Sequence, residues 1–201
     1  MLPWGSNRYY QRDNLNQKIR QMDGVKQQII ALLKENIRNI PDFPKPGIQF
    51  KDITPLLQNP DTLELTSQVL ARPFRHMDID YVVGLESRGF LFGTNLAQDL
   101  HAGFIPIRKP GKLPVDTISA TYALEYGEDT IEMHDDAFSE GDRILIHDDL
   151  IATGGSAKAA TQLVQELGGH VVGYSFIIEL QALQGCDQLP NDIRKDVLIS
   201  L

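Results

Sequence analysis

Arg143–Thr161, RILIHDDLIATGGSAKAAT, is the stretch from which the fold of this chain can be read. It contains a short apolar run, two adjacent carboxylates, a Gly-Gly turn carrying hydroxyls, and then a segment of helical composition over 157–167. The apolar run is too short for a core helix, so it predicts a buried parallel strand. Asp148 and Asp149 would lie at its carboxyl end, the edge of an open α/β sheet where ligands bind. The helix that follows would direct free amide groups toward an anion.

Length and composition predict one α/β domain with a small appendage. We expect an N-terminal extension over 1–24 and a single domain over 25–201 of the 201 residues. A net charge of −8 argues against a nucleic-acid surface, which needs clustered Lys and Arg. The single cysteine, Cys186, excludes an intramolecular disulfide and a cysteine-rich zinc cluster. Since no apolar run reaches transmembrane length and the N-terminus lacks an apolar signal core, we expect a cytoplasmic protein without a membrane partner.

The N-terminal part combines a helix with a proline-rich segment. Apolar residues recur at helical spacing over 25–37 and predict an amphipathic helix. Four prolines within 40–55 predict an extended path without helix. Two interpretations of that path remain open: an ordered surface loop, or a hood that holds a flat ligand against Phe50.

Two further strand-loop segments are predicted to add polar groups to the same sheet edge. Residues 81–85 form a short buried strand that ends in Glu86-Ser87-Arg88-Gly89, and a helix follows over 90–100. A third strand over 104–107 leads into Arg108, Lys109 and Lys112. These three cations indicate either a basic lid beside an anion site or a solvated basic turn.

The remaining segments complete an α/β sheet. A helix is predicted over 63–74, interrupted near Pro73, and a hairpin over 121–133. Residues 170–178 are strongly β-forming, and the apolar 197–199 is expected to add an edge strand or to pack on the sheet.

The chemistry of the first loop favours a sugar phosphate. The patterns GxxxxGK[ST] and GxGxxG are absent from the chain, so neither a P-loop NTPase nor a dinucleotide fold is supported. Carboxylates accept hydrogen bonds from sugar hydroxyls and can help to hold Mg²⁺. The hydroxyls of Thr153 and Ser156, with the amides of Gly154 and Gly155, suit a phosphate monoester.

The stretch around Asp148 resembles the 5-phosphoribosyl-1-diphosphate signature of the type I phosphoribosyltransferases, and the rest of the chain is similar to the branch of that family that uses adenine. The resemblance extends from about Ile37 to Glu179. It implies a type I phosphoribosyltransferase fold, in which a central, mostly parallel sheet is flanked by helices, with a hood at about 38–57 and a lid loop at about 107–121. It is carried by the segments DFPKPGIQFKDITPLL (42–57), VVGLESRGFLFG (82–93), IRKPGKLP (107–114), YALEYG (122–127) and ILIHDDLIATGGS (144–156).

The resemblance also implies residue roles. Glu125 would exchange a proton with the purine as its N9 bond forms, and Arg88 would stabilise the leaving diphosphate from a loop that carries a non-proline cis peptide. The other implied contacts are Asp148, Asp149, Ala152, Thr153, Gly154, Gly155 and Ser156 for ribose and 5-phosphate, Glu86, Ser87, Arg88, Arg108, Lys109, Lys112 and Tyr126 for diphosphate and lid, and Ile48, Gln49, Phe50 and Lys51 for adenine.

The implied activity is transfer of the phosphoribosyl group to N9 of adenine, giving AMP and diphosphate. Mg²⁺ would act mainly through the diphosphate, with Asp148 and Asp149 as possible ligands, and the chain would form a homodimer. Two alternatives stay open: the same chemistry on hypoxanthine, guanine or xanthine, or a non-catalytic sensor of phosphoribosyl diphosphate. The presence of Glu125 favours the enzyme. Three residues depart from the family pattern. Lys51 stands where the family often has arginine, and Glu86 replaces a commoner aspartate. The third is His147, which we expect to be packed or locally bonded.

Overall fold

A computed structural model describes residues 24, 27–123 and 127–201. All of the predicted extension except Gly24 therefore lies outside the described residues. The chain divides into two compact units, Met1–Thr62 and Leu63–Leu201, which are described in turn. One domain over 25–201 stays a prediction.

The described part of the first unit contains two helices and a small hairpin. Helix α1 covers residues 27–35, as the apolar spacing predicts. Strands β1 (Arg38–Pro41) and β2 (Gln49–Asp52) pair antiparallel, and helix α2 (Thr54–Gln58) follows. The prediction that the prolines exclude helix throughout 40–55 is wrong at its end. Pro55 lies in the first turn of α2, where its missing N–H group has no intrahelical acceptor to lose.

The second unit contains most of the predicted strands and helices at the predicted places. Helix α3 (Pro60–Ala71) includes the division point and starts slightly before its predicted position, and a 3-10 turn over Arg72–Phe74 follows it. The elements after that turn are β3 (Tyr81–Leu85), α4 (Gly89–Leu100), β4 (Gly103–Ile107), β5 (Thr117–Ala123), β6 (Glu128–His134), β7 (Arg143–Ile151), α5 (Gly155–Glu166), β8 (His170–Glu179) and β9 (Arg194–Ser200).

Five of these strands form one parallel sheet in the order β4-β3-β7-β8-β9. The expected mostly parallel sheet flanked by helices is confirmed, and β9 is the expected edge strand. Strands β5 and β6 pair antiparallel as the predicted hairpin. No described helix combines the length and the apolar character that crossing a membrane would require.

Strand β7 lies at the centre of the sheet and is longer than predicted. Ile144, Leu145 and Ile146 are fully buried, as expected of a central parallel strand. The carboxylates do not follow the strand but lie within it, because β7 pairs with β8 as far as Ile151. Its pairing with β3 stops at His147. The two aspartates therefore lie where β7 extends past the end of its pairing with β3.

Helix α5 packs one small-residue face against the sheet. Its buried residues include Ala157, Ala160, Leu163 and Val164, which recur at helical spacing and belong to the same core cluster as the β7 isoleucines. The alanines let the helix approach closely, so the start of α5 is held firmly beside the end of β7.

Candidate active site

Two polar loops meet at the carboxyl edge of the sheet. One joins β3 to α4 and contains Glu86, Ser87 and Arg88, and the other includes the end of β7 and the turn into α5. The Arg88 guanidinium forms an ion pair with the Asp149 carboxylate. The loops assigned to diphosphate and to ribose are thus joined by a direct contact between side chains 61 positions apart.

The two carboxylates have different environments. Asp149 is buried, whereas Asp148 is partly exposed and its Oδ1 accepts a hydrogen bond from the Asp149 amide at 2.8 Å. Burial raises the pKa of Asp148 well above the usual aspartate value, and repulsion from Asp149 adds to the rise. Burial also raises the pKa of Asp149, although the charge of Arg88 opposes that rise. Ionisation of both carboxyl groups is therefore energetically unfavourable in the folded protein, and a hydroxyl donor or a cation nearby would make it less so.

Helix α4 begins in close contact with the end of β7. A Cβ atom added at Gly89 would lie 3.0 Å from Asp148 Oδ1 and 3.0 Å from the His147 carbonyl oxygen. Only glycine fits there without displacing backbone. The Glu86–Ser87 peptide bond is cis, as the resemblance implies. Ser87 is exposed, and the partly buried Arg88 reaches Asp149 of β7.

The turn from β7 into α5 leaves amide groups available to an anion. Gly154, the N-cap of α5, has φ +83°, and no side chain of the described residues caps the helix. Its carbonyl oxygen accepts the first helical hydrogen bond from the Lys158 amide at 2.9 Å. Ala152, Thr153, Gly155 and Ser156 are therefore close together around a helix N-terminus whose cap position, within residues 27–123 and 127–201, receives no side-chain hydrogen bond. This geometry suits a phosphate.

The 3-10 turn Gly185–Gln188 packs against the turn that joins β7 to α5. A Cβ atom at Gly154 would lie 2.5 Å from the Gly185 carbonyl oxygen, and a Cβ atom at Gly185 would lie 2.3 Å from the Ala152 carbonyl oxygen. The contact thus depends on glycine on both sides. The sequence analysis missed Gly185, because its local sequence gives no sign that it approaches the loop.

A pocket of about 380 Å³ adjoins this turn in the second unit. It lies between the hairpin strand β5, the Gly-Gly turn and one face of α5. Its lining comprises Thr121, Tyr122, Ala123, Thr153, Gly154, Gly155, Lys158, Ala159, Gln162 and Gln188.

The basic segment after β4 is anchored at its first two cations, Arg108 and Lys109. Arg108 exchanges two backbone hydrogen bonds with Glu132 of β6, at 2.9 and 2.7 Å. The Glu86 carboxylate accepts hydrogen bonds from Arg108 Nε at 3.2 Å and from the Lys109 amide at 2.7 Å. Burial works to raise the pKa of Glu86, but these contacts outweigh it and the pKa is lowered. Arg108 and Lys109 therefore lie against the diphosphate loop, while Lys112 is exposed.

The residues assigned to adenine lie in the first unit, on or beside β2. The Phe50 ring meets the Phe43 ring edge to face, with centroids 5.1 Å apart. Lys51 Nζ donates a hydrogen bond to Asn39 Oδ1 at 2.9 Å, and Gln49 Oε1 accepts one from Asn39 Nδ2 at 2.9 Å. Ile48 is 44% exposed. Cross-strand bonds thus fix the polar members of this group, and an aromatic contact fixes Phe50.

His147 is packed and locally bonded, as predicted. It is fully buried in β7, its Nδ1 lies 3.3 Å from Ser175 Oγ, and its ring adjoins Gly93 of α4. Within the described part of the chain, its Nε2 has no hydrogen-bond partner. Burial lowers the pKa of His147 to about 4, so the ring is neutral at pH 7.

Two residues predicted to belong to the site are not described by the structure, and two residues without a predicted role lie close to Lys109. Glu125 and Tyr126 lie outside the described residues. Asp129 and Tyr122, to which the sequence analysis gave no role, form a cluster with Lys109. No local pattern distinguishes Asp129 from the other acidic residues of the hairpin.

The described residues contain no group of three or more His, Cys, Asp or Glu side chains arranged to hold a metal ion. The adjacent pair Asp148 and Asp149 still fits Mg²⁺, because that ion commonly takes one or two carboxylates and completes its coordination with water and substrate phosphate. The donor set therefore fits a metal shared with a phosphate-bearing substrate.

Comparison with known proteins finds a family model and relatives that all belong to the phosphoribosyltransferases. The family model described as "Phosphoribosyl transferase domain" matches residues 54–195. Adenine phosphoribosyltransferase of Gloeobacter violaceus is 53% identical over 168 residues, which cover 84% of this chain and 98% of the relative. The enzyme of that name from Cyanothece sp. is 57% identical over 159 residues, covering 79% of this chain and 94% of the relative.

Solved structures give the same result. Adenine phosphoribosyltransferase from Rhodothermus marinus matches with a TM-score of 0.84 and 54% identity, covering 87% of this chain and 99% of that one. The enzyme from Saccharomyces cerevisiae, complexed with D-2,5-dideoxy-2,5-imino-altritol 1,6-bisphosphate and adenine, matches with a TM-score of 0.80 and 41% identity. It covers 86% of this chain and 99% of that one.

Proposed function

Because this chain belongs to the adenine phosphoribosyltransferases, a branch of the type I phosphoribosyltransferase family, we propose that the loops at its sheet edge hold 5-phosphoribosyl-1-diphosphate for reaction with adenine. The activity is transfer of the 5-phosphoribosyl group to N9 of adenine, giving AMP and diphosphate, a reaction of purine salvage. The observation that carries the site assignment is the Arg88–Asp149 ion pair, which joins the diphosphate loop to the ribose loop.

The proposed binding mode follows from the chemistry of the two loops. The 5-phosphate would accept hydrogen bonds from the amides and hydroxyls of Ala152–Ser156, at the positive end of α5. The ribose hydroxyls would donate to Asp148 and Asp149, whose raised pKa values reflect a site that favours such donors.

Charge explains how the site would promote the reaction. As the bond between C1 of ribose and diphosphate breaks, positive charge develops on the sugar and negative charge on the leaving group. The carboxylates would stabilise the sugar, while Arg88, Arg108, Lys109 and Lys112 would stabilise the diphosphate. Arg108 and Lys109 already lie against Glu86 of the diphosphate loop, which supports this role. Closure of the lid segment would keep water away from the ribosyl cation.

Adenine would bind at the hood, between the Phe50 ring and the backbone of Ile48–Lys51. We propose Glu125 as the group that holds the proton leaving N9, with Tyr126 beside it, as the family resemblance implies. When bound, Mg²⁺ would supply charge neutralisation for the diphosphate, with Asp148 and Asp149 as the protein groups able to hold it.

The role of Glu125 is tested by Glu125→Gln, which keeps the size of the side chain and removes its proton-accepting carboxylate. We expect an unchanged Kd for phosphoribosyl diphosphate and a fall in kcat with adenine of about 10²- to 10⁴-fold. Glu128→Gln is the matched control, because Glu128 is an exposed acid of β6 three positions further along the chain. Unchanged turnover in Glu125→Gln would exclude the assigned role.

Substrate choice is tested by an assay with Mg²⁺ and adenine, hypoxanthine, guanine or xanthine. We expect product only with adenine. Turnover of another base would favour that purine, and binding of phosphoribosyl diphosphate without turnover of any base would favour a sensor.

We also propose, from the family resemblance, a cytoplasmic homodimer. Sedimentation equilibrium of the full chain is the test of the oligomeric state, and a single species at the monomer mass of 22.5 kDa would contradict it.

A further inference from the structure

Asp129 joins two residues of the second unit that come from different elements. Its Oδ2 forms an ion pair with Lys109 Nζ and accepts a hydrogen bond from the Tyr122 hydroxyl at 3.1 Å. Its Oδ1 accepts a hydrogen bond from the Thr130 amide at 2.9 Å. Lys109 Nζ also lies 5.9 Å from the centre of the Tyr122 ring. Both carboxylate oxygens are therefore engaged, and the lysine ammonium is held by a charge and by an aromatic face.

The far ends of this cluster reach both phosphate-binding loops. The Tyr122 ring lies against the 5-phosphate loop, since a Cβ atom at Gly155 would come within 2.9 Å of Tyr122 Cδ2. The Lys109 amide donates to Glu86 of the diphosphate loop at 2.7 Å. The Lys109 backbone therefore contacts the diphosphate loop, and Asp129 is the group that fixes the charged end of its side chain.

Fixing that end matters because lysine has a long and flexible side chain. An unrestrained lysine loses rotamer freedom when it binds a phosphate, whereas one that is already oriented does not. The carboxylate is suited to this task. Burial works to raise the pKa of Asp129, but the hydrogen bond and charge of Lys109 outweigh it, so the pKa is lowered and the group stays ionised.

We propose that Asp129 is a positioning residue that orients Lys109 for the diphosphate and, through Tyr122, connects the lid segment to the 5-phosphate loop. The inference rests on the proposed role of Lys109 in binding diphosphate. Asp129 contacts Lys109, Tyr122 and Thr130, and we assign it no direct role toward the substrate. Its effect is on the orientation of a cation, so it acts on the affinity for phosphoribosyl diphosphate rather than on the chemical step.

The direction in which the KM for phosphoribosyl diphosphate changes when Asp129 is replaced distinguishes a positioning role from a purely electrostatic one. A carboxylate that acted only as a nearby negative charge would repel the phosphates, so its removal would lower the KM for phosphoribosyl diphosphate. A positioning carboxylate has the opposite effect, because its removal frees Lys109 and raises that KM.

The test is a double-mutant cycle with Asp129→Asn and Lys109→Gln, using the full chain with Mg²⁺ and saturating adenine. We expect Asp129→Asn to raise the KM for phosphoribosyl diphosphate about three- to tenfold, with less than about a twofold change in kcat. In the Lys109→Gln background the same substitution should change KM by less than about twofold. Tyr122→Phe, which keeps the ring against Gly155 and removes the hydroxyl, should raise KM in the same direction by a smaller factor.

Asp136→Asn is the control, since it removes one negative charge from an exposed position just past the far end of β6 and should leave KM unchanged. Thermal unfolding checks that each variant folds. Suppose that Lys109→Gln raises the KM for phosphoribosyl diphosphate. If Asp129→Asn then leaves that KM unchanged or lowers it, or raises it by the same factor in the Lys109→Gln background, the inference about Asp129 fails while the proposed role of Lys109 stands. If Lys109→Gln itself leaves KM unchanged, the proposed role of Lys109 fails and the inference fails with it.

Discussion

Replacing Gly154 by alanine should damage the 5-phosphate loop more than its backbone conformation alone explains. Gly154 has φ +83°, which costs a non-glycine residue about 1–2 kcal/mol. The added methyl group would also lie 2.5 Å from the Gly185 carbonyl oxygen and 3.2 Å from Gln188 Cβ. Overpacking of this kind costs about 1–3 kcal/mol. The two effects together predict a loss of about 2–5 kcal/mol in the free energy of unfolding.

Gly141→Ala is the matched control for this substitution. Gly141 has φ +91°, and a Cβ atom there would have no neighbour within 4 Å among the residues that the structure describes. It should therefore lose only the conformational part, about 1–2 kcal/mol. For a chain of this size each 1 kcal/mol corresponds to about 2–4 °C in Tm. Differential scanning calorimetry should show a fall in Tm for Gly154→Ala at least about twice that for Gly141→Ala.

The KM for phosphoribosyl diphosphate shows whether Gly154→Ala also changes the shape of the 5-phosphate loop. The Gly185 turn cannot move away without losing its packing against Ala152, which is so close that a Cβ atom at Gly185 would lie 2.3 Å from the Ala152 carbonyl oxygen. The 5-phosphate loop should therefore shift and lose amide hydrogen bonds to the phosphate, raising the KM for phosphoribosyl diphosphate about tenfold or more. Gly141→Ala should leave that KM unchanged. An equal fall in Tm for both variants, with no change in KM, would refute the reasoning from the Gly154–Gly185 contact.

Two further predictions concern the dependence of stability on pH. The raised pKa of Asp148 means that the folded state resists ionisation of this group. In Mg²⁺-free buffer Asp148→Asn should therefore raise Tm at pH 7–8, and the gain should vanish only below about pH 3, where the carboxyl is protonated in both the folded and the unfolded state. A gain independent of pH would contradict this. His147 has a pKa lowered to about 4, so its protonation in the unfolded chain should reduce stability as pH falls from about 6.5 to 4, by about 1.4 kcal/mol per pH unit. Urea unfolding of His147→Gln should show a weaker loss over that range than the protein itself, whereas replacing the exposed His170 by glutamine should not; equal slopes would exclude His147 as the source.

The main elements of the parallel sheet could be predicted from the sequence because they depend on local patterns. Apolar runs such as Ile144–Ile146 give buried strands, and the helical spacing of 157–167 gives α5. The Gly-Gly turn lies at the start of helix α5, as predicted, and the anion site that its hydroxyls and amides suggest stays a prediction. The positions of Asp148 and Arg88 at one edge follow from the rule that parallel strands end together.

Strand pairing decided what the local pattern could not. Asp148 and Asp149 lie inside β7 rather than after it, because β8 continues to pair with β7 where β3 has ended. A strand length set by its neighbours cannot be read from the strand alone. Pro55 in α2 is a similar case, since the position of a proline within a helix decides whether it interrupts that helix.

By itself, then, the sequence determined a parallel α/β sheet, two polar loops at its carboxyl edge and a basic segment beside them, because hydrophobic period and turn residues act over a few positions. Only the tertiary structure decided that Arg88 pairs with Asp149, that Gly185 supports Gly154, and that Asp129 holds Lys109. These contacts join residues distant in the chain. They depend on strand order, register and the packing of loops, which no single segment contains.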